Sequence, residues 1–403
     1  MSASRAASLD REDPLRCFRG RFVSGDRDPV YLDGNSLGRL PRATVQKLAE
    51  MVQTGWGARL IRGWEEGWLE LPLRVGDRLG EIALGAGPGQ VAVADSTTVC
   101  FYKLASAALS ARPDRREIIT DRDNFATDRY VLEGLADARG LTIRWLQSDP
   151  GRGPEPADVA ALAGPQTALV ALSHVAYRSG FVLDLPAITR VVHDAGALTL
   201  WDLSHSVGAV PVALDADGAD LAVGCTYKYL NGGPGAPAFL YVRSAHQTTL
   251  RQPIWGWLGR ADPFAMAPGF EPAAGITAML SGTPPVLALT AVAAGLELIA
   301  EAGMPAIRAK AVALGEYAIS LADQWLAPHG VTLASPRDSA RRGAHVALAH
   351  RKARELCARL LAAGVIVDFR GPDVIRIGLS PLTTSFADVD AGVDRLRRLL
   401  KDG

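Results

Sequence analysis

Apolar residues along the middle of the chain come in short β-type runs, and between most of these runs the spacing turns helical. The runs lie at 91–95 (VAVAD), 117–120 (EIIT), 141–146 (LTIRWL), 168–175 (ALVALSHV), 198–202 (LTLWD), 221–225 (LAVGC) and 236–242 (APAFLYV). Between them, at 97–111, 127–139, 155–163 and 186–196, apolar residues recur three and four apart, as on one face of a helix. This alternation predicts an α/β fold, a large domain whose mostly parallel mixed sheet is flanked by helices. A short Gly/Pro-rich link joins 221–225 to 236–242, so an antiparallel pair is expected there.

From 285 the rhythm changes. Two long helical segments, 285–303 and 304–326, lead to a strand at 344–350, a helix at 351–363, strands at 365–369 and 374–379, and a last helix at 386–401. That order describes a smaller α+β domain. Residues 1–45 read as irregular around Asp-Gly-Asn-Ser-Leu-Gly and are expected to pack against it. The expected division is an N-terminal segment 1–45, a large ligand-binding domain 46–285 and a small domain 286–403.

Composition narrows the class. With 403 residues, 48% hydrophobic and 21% charged, the chain reads as an ordinary folded protein. A formal net charge of zero argues against a nucleic-acid partner. No run approaches 18 apolar residues, and MSASRAASLDREDPLR lacks the apolar core of a signal peptide, so no membrane association is expected. Cys17, Cys100, Cys225 and Cys357 form no CxxC pair, which fits reduced thiols and no metal site. A cytoplasmic protein is the expectation.

Chemistry enters at "CTYKYLNGGPG", residues 225–235. The chain holds six lysines against 37 arginines, yet Lys228 stands between an apolar run and a glycine turn. An amine there is poorly solvated and can act as a nucleophile; an arginine, which keeps its proton, cannot. Upstream, "LTLWDLSHSVG" ends a strand-like run in Asp202, with His205 three residues on. A carboxylate at that sheet edge can pair with a protonated ring nitrogen, or simply cap the following helix. In "VAVADSTTVC" a strand ends and Ser96-Thr97-Thr98 open a helix, the setting of a phosphate site or of plain N-capping. In "NFATDRY", Phe125 can stack on a flat ring or belong to the core, and Asp128 begins another helix. Each element has a plainer reading by itself. Together they describe one ligand's ring, ring nitrogen, aldehyde carbon and phosphate: pyridoxal 5′-phosphate (PLP).

With these residues in place the chain resembles the kynureninases, fold type I PLP enzymes of the aspartate aminotransferase superfamily. The likeness runs from "YLDGNSLGRLP" through "STTV", "FATD", "SHVAYRSG", "WDLSHSVGAVPV", "TYKYLNGGPG", "GWLGR" and "GTPP" to "VIRIGLSPLTTSF". It implies hydrolysis of the Cβ–Cγ bond of L-kynurenine to anthranilate and L-alanine, as in tryptophan degradation by the kynurenine pathway and in NAD biosynthesis. By the same resemblance Lys228 bonds to the cofactor, Asp202 pairs with its ring nitrogen, His205 is a further contact, and Phe125 stacks on the ring with Asp128 in the same motif. Thr97, Thr98, Ser173, Tyr227, Trp257 and Thr283 match cofactor-binding positions, mostly around the phosphate. Trp257 and Thr283 are then donated by a neighbouring subunit, making a homodimer with shared sites. Arg376 would grip the substrate α-carboxylate, with Ser36 and Trp64 near the substrate ring; on residues alone, Arg376 could equally be an exposed strand arginine.

The chain departs from some relatives at Thr283, where they carry Asn, and at Trp64, where they carry His. Both changes favour kynurenine over its 3-hydroxy analogue. Cys100, in place of a common Asn, reads as a packing change. Cleavage leaves Cβ in need of a proton, and Tyr227 is the candidate donor; its phenol, ordinarily near pKa 10, would need lowering to shuttle protons near neutrality. Alternatives are a class V aminotransferase, a cysteine desulfurase, or a non-catalytic PLP-binding protein. The first two usually carry His before the lysine where Tyr227 stands, and Cys357 lies in helical "ARELCARLL" rather than on a mobile loop. A non-catalytic protein would have no reason to keep Arg376 and the Trp64 pocket. No GxGxxG opens a helix, which speaks against a nicotinamide enzyme.

Overall fold

The computed structural model describes residues 2–25, 29–149 and 151–401. β1 (Val30–Tyr31) comes first among the strands. β2 (Val91–Ala94), β3 (Glu117–Asp121), β4 (Thr142–Leu146), β5 (Thr167–Ser173), β6 (Leu198–Asp202), β7 (Leu221–Gly224) and β8 (Ala238–Val242) form one seven-stranded sheet, in the order β2-β8-β7-β6-β5-β3-β4. All seven expected strands are present. Four neighbouring pairs run parallel, while β8 is antiparallel to both β7 and β2, as the short link between β7 and β8 requires. The inner strands are buried on both faces, which is why they read as unbroken apolar runs rather than alternating ones.

The helices are α1 (Ser2–Glu12), α2 (Arg42–Glu50), α3 (Leu71–Leu79), α4 (Thr97–Ser110), α5 (Ala126–Arg139), α6 (Pro156–Leu162), α7 (Leu185–Asp194), α8 (Val286–Ala302), α9 (Met304–Leu321), α10 (Ala353–Ala362) and α11 (Phe386–Lys401). Two apolar clusters fill the faces of the large sheet, and Leu289 to Ile307, on α8 and the start of α9, belong to one of them.

β9 (Thr332–Leu333), β10 (His345–Ala349), β12 (Asp368–Arg370) and β13 (Val374–Gly378) build a second, antiparallel sheet in the order β12-β13-β10-β9. β11 (Val365–Ile366) pairs instead with β1, in parallel. A third apolar cluster binds this sheet to α9, α10 and α11.

The N-terminal reading needs correction. Among the described residues of this segment α1 packs on α11 and β1 on β11, and the segment is not irregular: α1 and the start of α2 lie within it. Propensity in SASRAASLDRE is modest, and packing supplies the rest. Ala6 enters the third cluster, and the Asp10 carboxylate accepts the Phe386 and Ala387 N–H groups at 3.0 Å each, capping α11. No single helix among the described residues is long and apolar enough to cross a membrane.

Candidate functional site

The site lies at the C-terminal ends of the parallel strands, where the loops after β2, β3, β6 and β7 converge. A cavity of about 380 Å³ is lined by Thr97, Thr98, Phe125, Asp128, Asp202, His205, Tyr227 and Lys228. The structure therefore brings together eight residues that sequence reasoning had selected. Ser96, read with Thr97 and Thr98 as a phosphate-type helix start, lines it as well, as do Asp95, Thr127 and Ser204, which the sequence reading did not name.

Each is placed by local rules. Ser96 is the N-cap of α4, its hydroxyl accepting the Val99 N–H at 3.4 Å, so Thr97 and Thr98 occupy the first turn, where backbone N–H groups point outward. Asp95 just before it has a left-handed φ of 50°. Its carboxylate takes the buried Lys103 ammonium at 2.6 Å, and Lys103 also donates to the Met279 carbonyl. Phe125 precedes α5, which places Asp128 in the helix's first turn and inside the cavity. Asp202 ends β6 and accepts the Ser204 N–H at 2.8 Å.

Lys228 follows β7 in a turn continued by Asn231 at φ 56° and Gly233 at φ 90°. Its Nζ lies 3.3 Å from both nitrogens of His205 and 6.0 Å from the ring centres of Phe125 and Tyr227. Burial, with Lys228 and Arg376 adding to it, holds His205 well below its usual pKa, so the ring is neutral. Burial and the adjoining Asp202 push the Asp128 carboxyl well above the usual range, and its Oδ2 is buried without a hydrogen-bond partner. Tyr227 departs from expectation: burial, reinforced by Cys225 and Asp202, pushes its phenol up rather than down. The group is held protonated.

Arg376 on β13 is only 1% exposed, which removes the reading of it as an exposed strand arginine. Its Nη1 donates to the Tyr177 carbonyl at 2.6 Å and approaches His205 Nε2 at 3.4 Å. Its Nη2 donates to the Ser36 hydroxyl at 3.0 Å and pairs with Asp368, whose carboxylate also meets Arg370 at 2.8 Å. Ser36 is thus beside Arg376.

Like Arg376, Ser36 and Trp64, three of the expected cofactor residues lie outside this cavity's lining. Ser173 stands opposite Asp202 across β5 and β6 and donates to Asn124 Oδ1 at 2.5 Å, lining a small neighbouring void with Tyr177. Thr283 lines an adjoining cavity of about 360 Å³ that shares Asp95, Ser96 and Gly235 with the first. Trp257 meets Trp64 edge to face at 6.3 Å. Also absent from sequence reasoning is His345 on β10, fully buried and edge-on to His205 at 5.8 Å, with both ring nitrogens unpartnered. A histidine in an apolar strand gives no sequence signal of such a position.

The arrangement offers a nucleophilic amine, a buried carboxylate pair, an anion-binding helix terminus and a guanidinium within one region. Residues 307–396 match the family model for the kynureninase C-terminal domain. A kynureninase of Burkholderia pseudomallei (strain 1106a) is 43% identical over 402 residues, covering 98% of this chain and 94% of that protein. A kynureninase of Pseudomonas fluorescens is 41% identical over 400 residues, with the same coverage. Among solved structures, the apo cysteine desulfurase of Thermococcus onnurineus NA1 superposes with a TM-score of 0.81 at 18% identity, covering 98% of each chain. The cysteine desulfurase CsdA of Escherichia coli gives 0.78 at 19%, covering 96% of this chain and 98% of its own. At such identities these two show a shared fold. The chain belongs to the kynureninase family.

Proposed function

From that membership and the geometry of the cavity, we propose that this protein is a PLP-dependent kynureninase, cleaving the Cβ–Cγ bond of L-kynurenine to anthranilate and L-alanine. The observation that carries the reading is the convergence of Lys228, the Asp202–Asp128 pair and the α4 terminus on one cavity, with the buried Arg376 at its edge.

The residues fit the cofactor. Asp128 Oδ2, buried and unpartnered beside Asp202, is a polar group awaiting a ligand, and the first-turn N–H groups of Thr97 and Thr98 suit a phosphate. PLP supplies, when bound, an electron sink that stabilises negative charge next to the substrate α-carbon. Asp202 would hold the ring nitrogen protonated and Phe125 would cover the ring, while His205, kept neutral, can donate or accept a hydrogen bond beside Lys228. Ser173, the register partner of Asp202 on the next strand, would be a further cofactor contact.

Arg376 binds the α-carboxylate through paired N–H groups, with Ser36 alongside. The Lys228 amine would hold the cofactor and, when free, take and return the proton at Cα. A water bonding to the Cγ ketone carbon lets the Cβ–Cγ bond break, with Cγ leaving as the anthranilate carboxylate. Tyr227, held protonated, is the candidate to deliver a proton to Cβ after cleavage; its raised phenol is a weaker acid than a free one, so the transfer relies on the strong basicity of Cβ at that point.

Trp257 and Thr283 face a second copy of the chain, which would place them at that copy's cavity. Support comes from their position outside the Lys228 cavity, from the exposed Trp255, Phe264 and Met266 nearby in sequence, and from the exposed Trp56 and Ile61 close in sequence to Trp64, which meets Trp257. Trp64, against Trp257, would line the aryl pocket and favour kynurenine over 3-hydroxykynurenine, because an indole offers no acceptor for the extra hydroxyl's O–H. The separation of 46–285 from 286–403 is supported by separate apolar clusters, with α8 and with Leu15, Phe18 and Phe22 of the N-terminal segment joining the large unit's cluster. Four free thiols support a reducing, cytoplasmic setting.

A desulfurase reading is disfavoured by Cys357, which lies on α10 with its thiol pushed up to about 12 by burial. The test of the cofactor site is the visible absorbance of PLP-loaded protein. Lys228→Ala should abolish the lysine-bound band, and an unchanged band refutes the assignment.

A further inference from the structure

The segment Asp33 to Gly38 touches both ends of the site. At one end, the Gly38 N–H donates to the Tyr227 carbonyl at 2.8 Å, and a Cβ on Gly38 would lie 2.3 Å from the Lys228 carbonyl oxygen. At the other, a Cβ on Gly378 would lie 1.8 Å from Asn35 Oδ1, and one on Gly34 would lie 2.7 Å from Ser380 Cβ. The turn is therefore wedged between the lysine turn and β13, with no room for side chains at its contacts.

Asn35, at its centre, is fully buried. With its amide oriented to suit its neighbours, the oxygen accepts from Arg376 Nε at 2.7 Å and Nη2 at 3.2 Å, and the NH₂ group donates to Asp33 Oδ1 at 3.3 Å. A guanidinium can meet a carboxylate along its Nε/Nη2 edge or across its Nη1/Nη2 end. Asn35 covers the first. At the second stand groups that can exchange: the Ser36 hydroxyl, and the Asp368 carboxylate with Arg370 as its other cation.

We propose that Asn35 is a positioning residue that orients Arg376 so that its Nη end alone meets the substrate α-carboxylate. The turn then sets the separation of that end from Lys228, so the site accepts compounds with amine and carboxylate on one carbon. This rests on the assignment of Arg376 made under the proposed function.

The test uses PLP-loaded protein and two ligands that cannot bond to the cofactor: 4-(2-aminophenyl)-4-oxobutanoate, which is kynurenine without its α-amine, and the neutral primary amide of that acid. Equilibrium dialysis gives both affinities. In Asn35→Ala the acid should bind about tenfold or more weakly, the loss expected for one hydrogen bond to a charged group, while the amide changes less than twofold. Asn35→Asp keeps the side chain's size and sets a carboxylate against Arg376, so it should show the same selective loss, and it carries the test if the Ala variant does not fold. The PLP band of each variant reports that the lysine end is intact. Equal weakening of both ligands, or of neither, overturns the role of Asn35. A wild-type protein that binds neither ligand overturns the proposed function instead.

Discussion

Replacing Arg376 separates charge from geometry at the substrate end of the cavity. The guanidinium has five N–H groups. Its Nε is held by Asn35 and one Nη1 hydrogen by the Tyr177 carbonyl, so a carboxylate takes the other Nη1 hydrogen and, by displacing Ser36 and Asp368, Nη2. An ammonium in Arg376→Lys keeps the charge but has three donors on one atom, so at least one charge-assisted bond to substrate is lost. At roughly 1.5–3 kcal/mol per such bond, KM for L-kynurenine should rise about 10- to 150-fold. Arg376→Ala loses both bonds, roughly 3–6 kcal/mol, and KM should rise on the order of 10²- to 10⁴-fold, with kcat reduced less. The assay is the initial rate of anthranilate release against L-kynurenine concentration. An Ala variant whose KM stays within twofold of wild type would refute the placement of the α-carboxylate on Arg376.

Other consequences reach beyond the substrate. Asp13 and Lys310 form a buried pair at 2.5 Å, with Lys310 also over the Phe386 ring at 4.2 Å, and burial lowers the lysine's pKa despite its partner. Asp13→Ala strands that charge and should cost about 3–5 kcal/mol in denaturant unfolding, and adding Lys310→Met should restore much of it; no recovery in the double variant would contradict the pairing. At the opposite end of the large sheet, Asp220 accepts His193 at 2.9 Å and His246 at 2.7 Å. Burial alone would raise the Asp220 carboxyl, but these bonds and the Thr199 N–H outweigh it and lower the value, while the bond to Asp220 raises His193. The Asp220 contribution is present above its unfolded pKa of about 3.9 and lost as pH falls through the lower folded value. The His193 contribution is complete below about 6.5 and lost as pH rises through the higher folded value. The stability gap between wild type and Asp220→Asn should therefore be widest between about pH 4 and 6.5 and narrow on either side; a gap constant with pH would contradict this. Thiol titration of the native protein at neutral pH should give one fast group, Cys17, because Cys100 and Cys225 are buried with raised pKa values and Cys357 is pushed up to about 12. Two or more fast thiols would show the burial to be wrong.

How much of this was legible in the sequence depended on the kind of signal. The large sheet was, because each buried strand is a compact apolar run bounded by turn residues, and so were Lys228, Asp202, Thr97 and Phe125, which sit where strands end and loops begin. α1 was not, since its helix is held by contacts with α11 some 380 residues away rather than by its own pattern. Asn35 and His345 were not, because their positions come from two sheets meeting, and neither stands in a pattern that names a partner. The donor role read for Tyr227 called for a lowered phenol, while burial, invisible in sequence, raises it.

The central claim is that the Lys228 cavity and Arg376 together make a carbon–carbon hydrolase. The most direct measurement incubates purified, PLP-loaded protein with L-kynurenine and follows anthranilate and L-alanine in the same samples. The account predicts both products in equal amounts, with formation lost in Lys228→Ala. PLP-loaded protein that releases neither product, or that releases alanine without anthranilate, contradicts it.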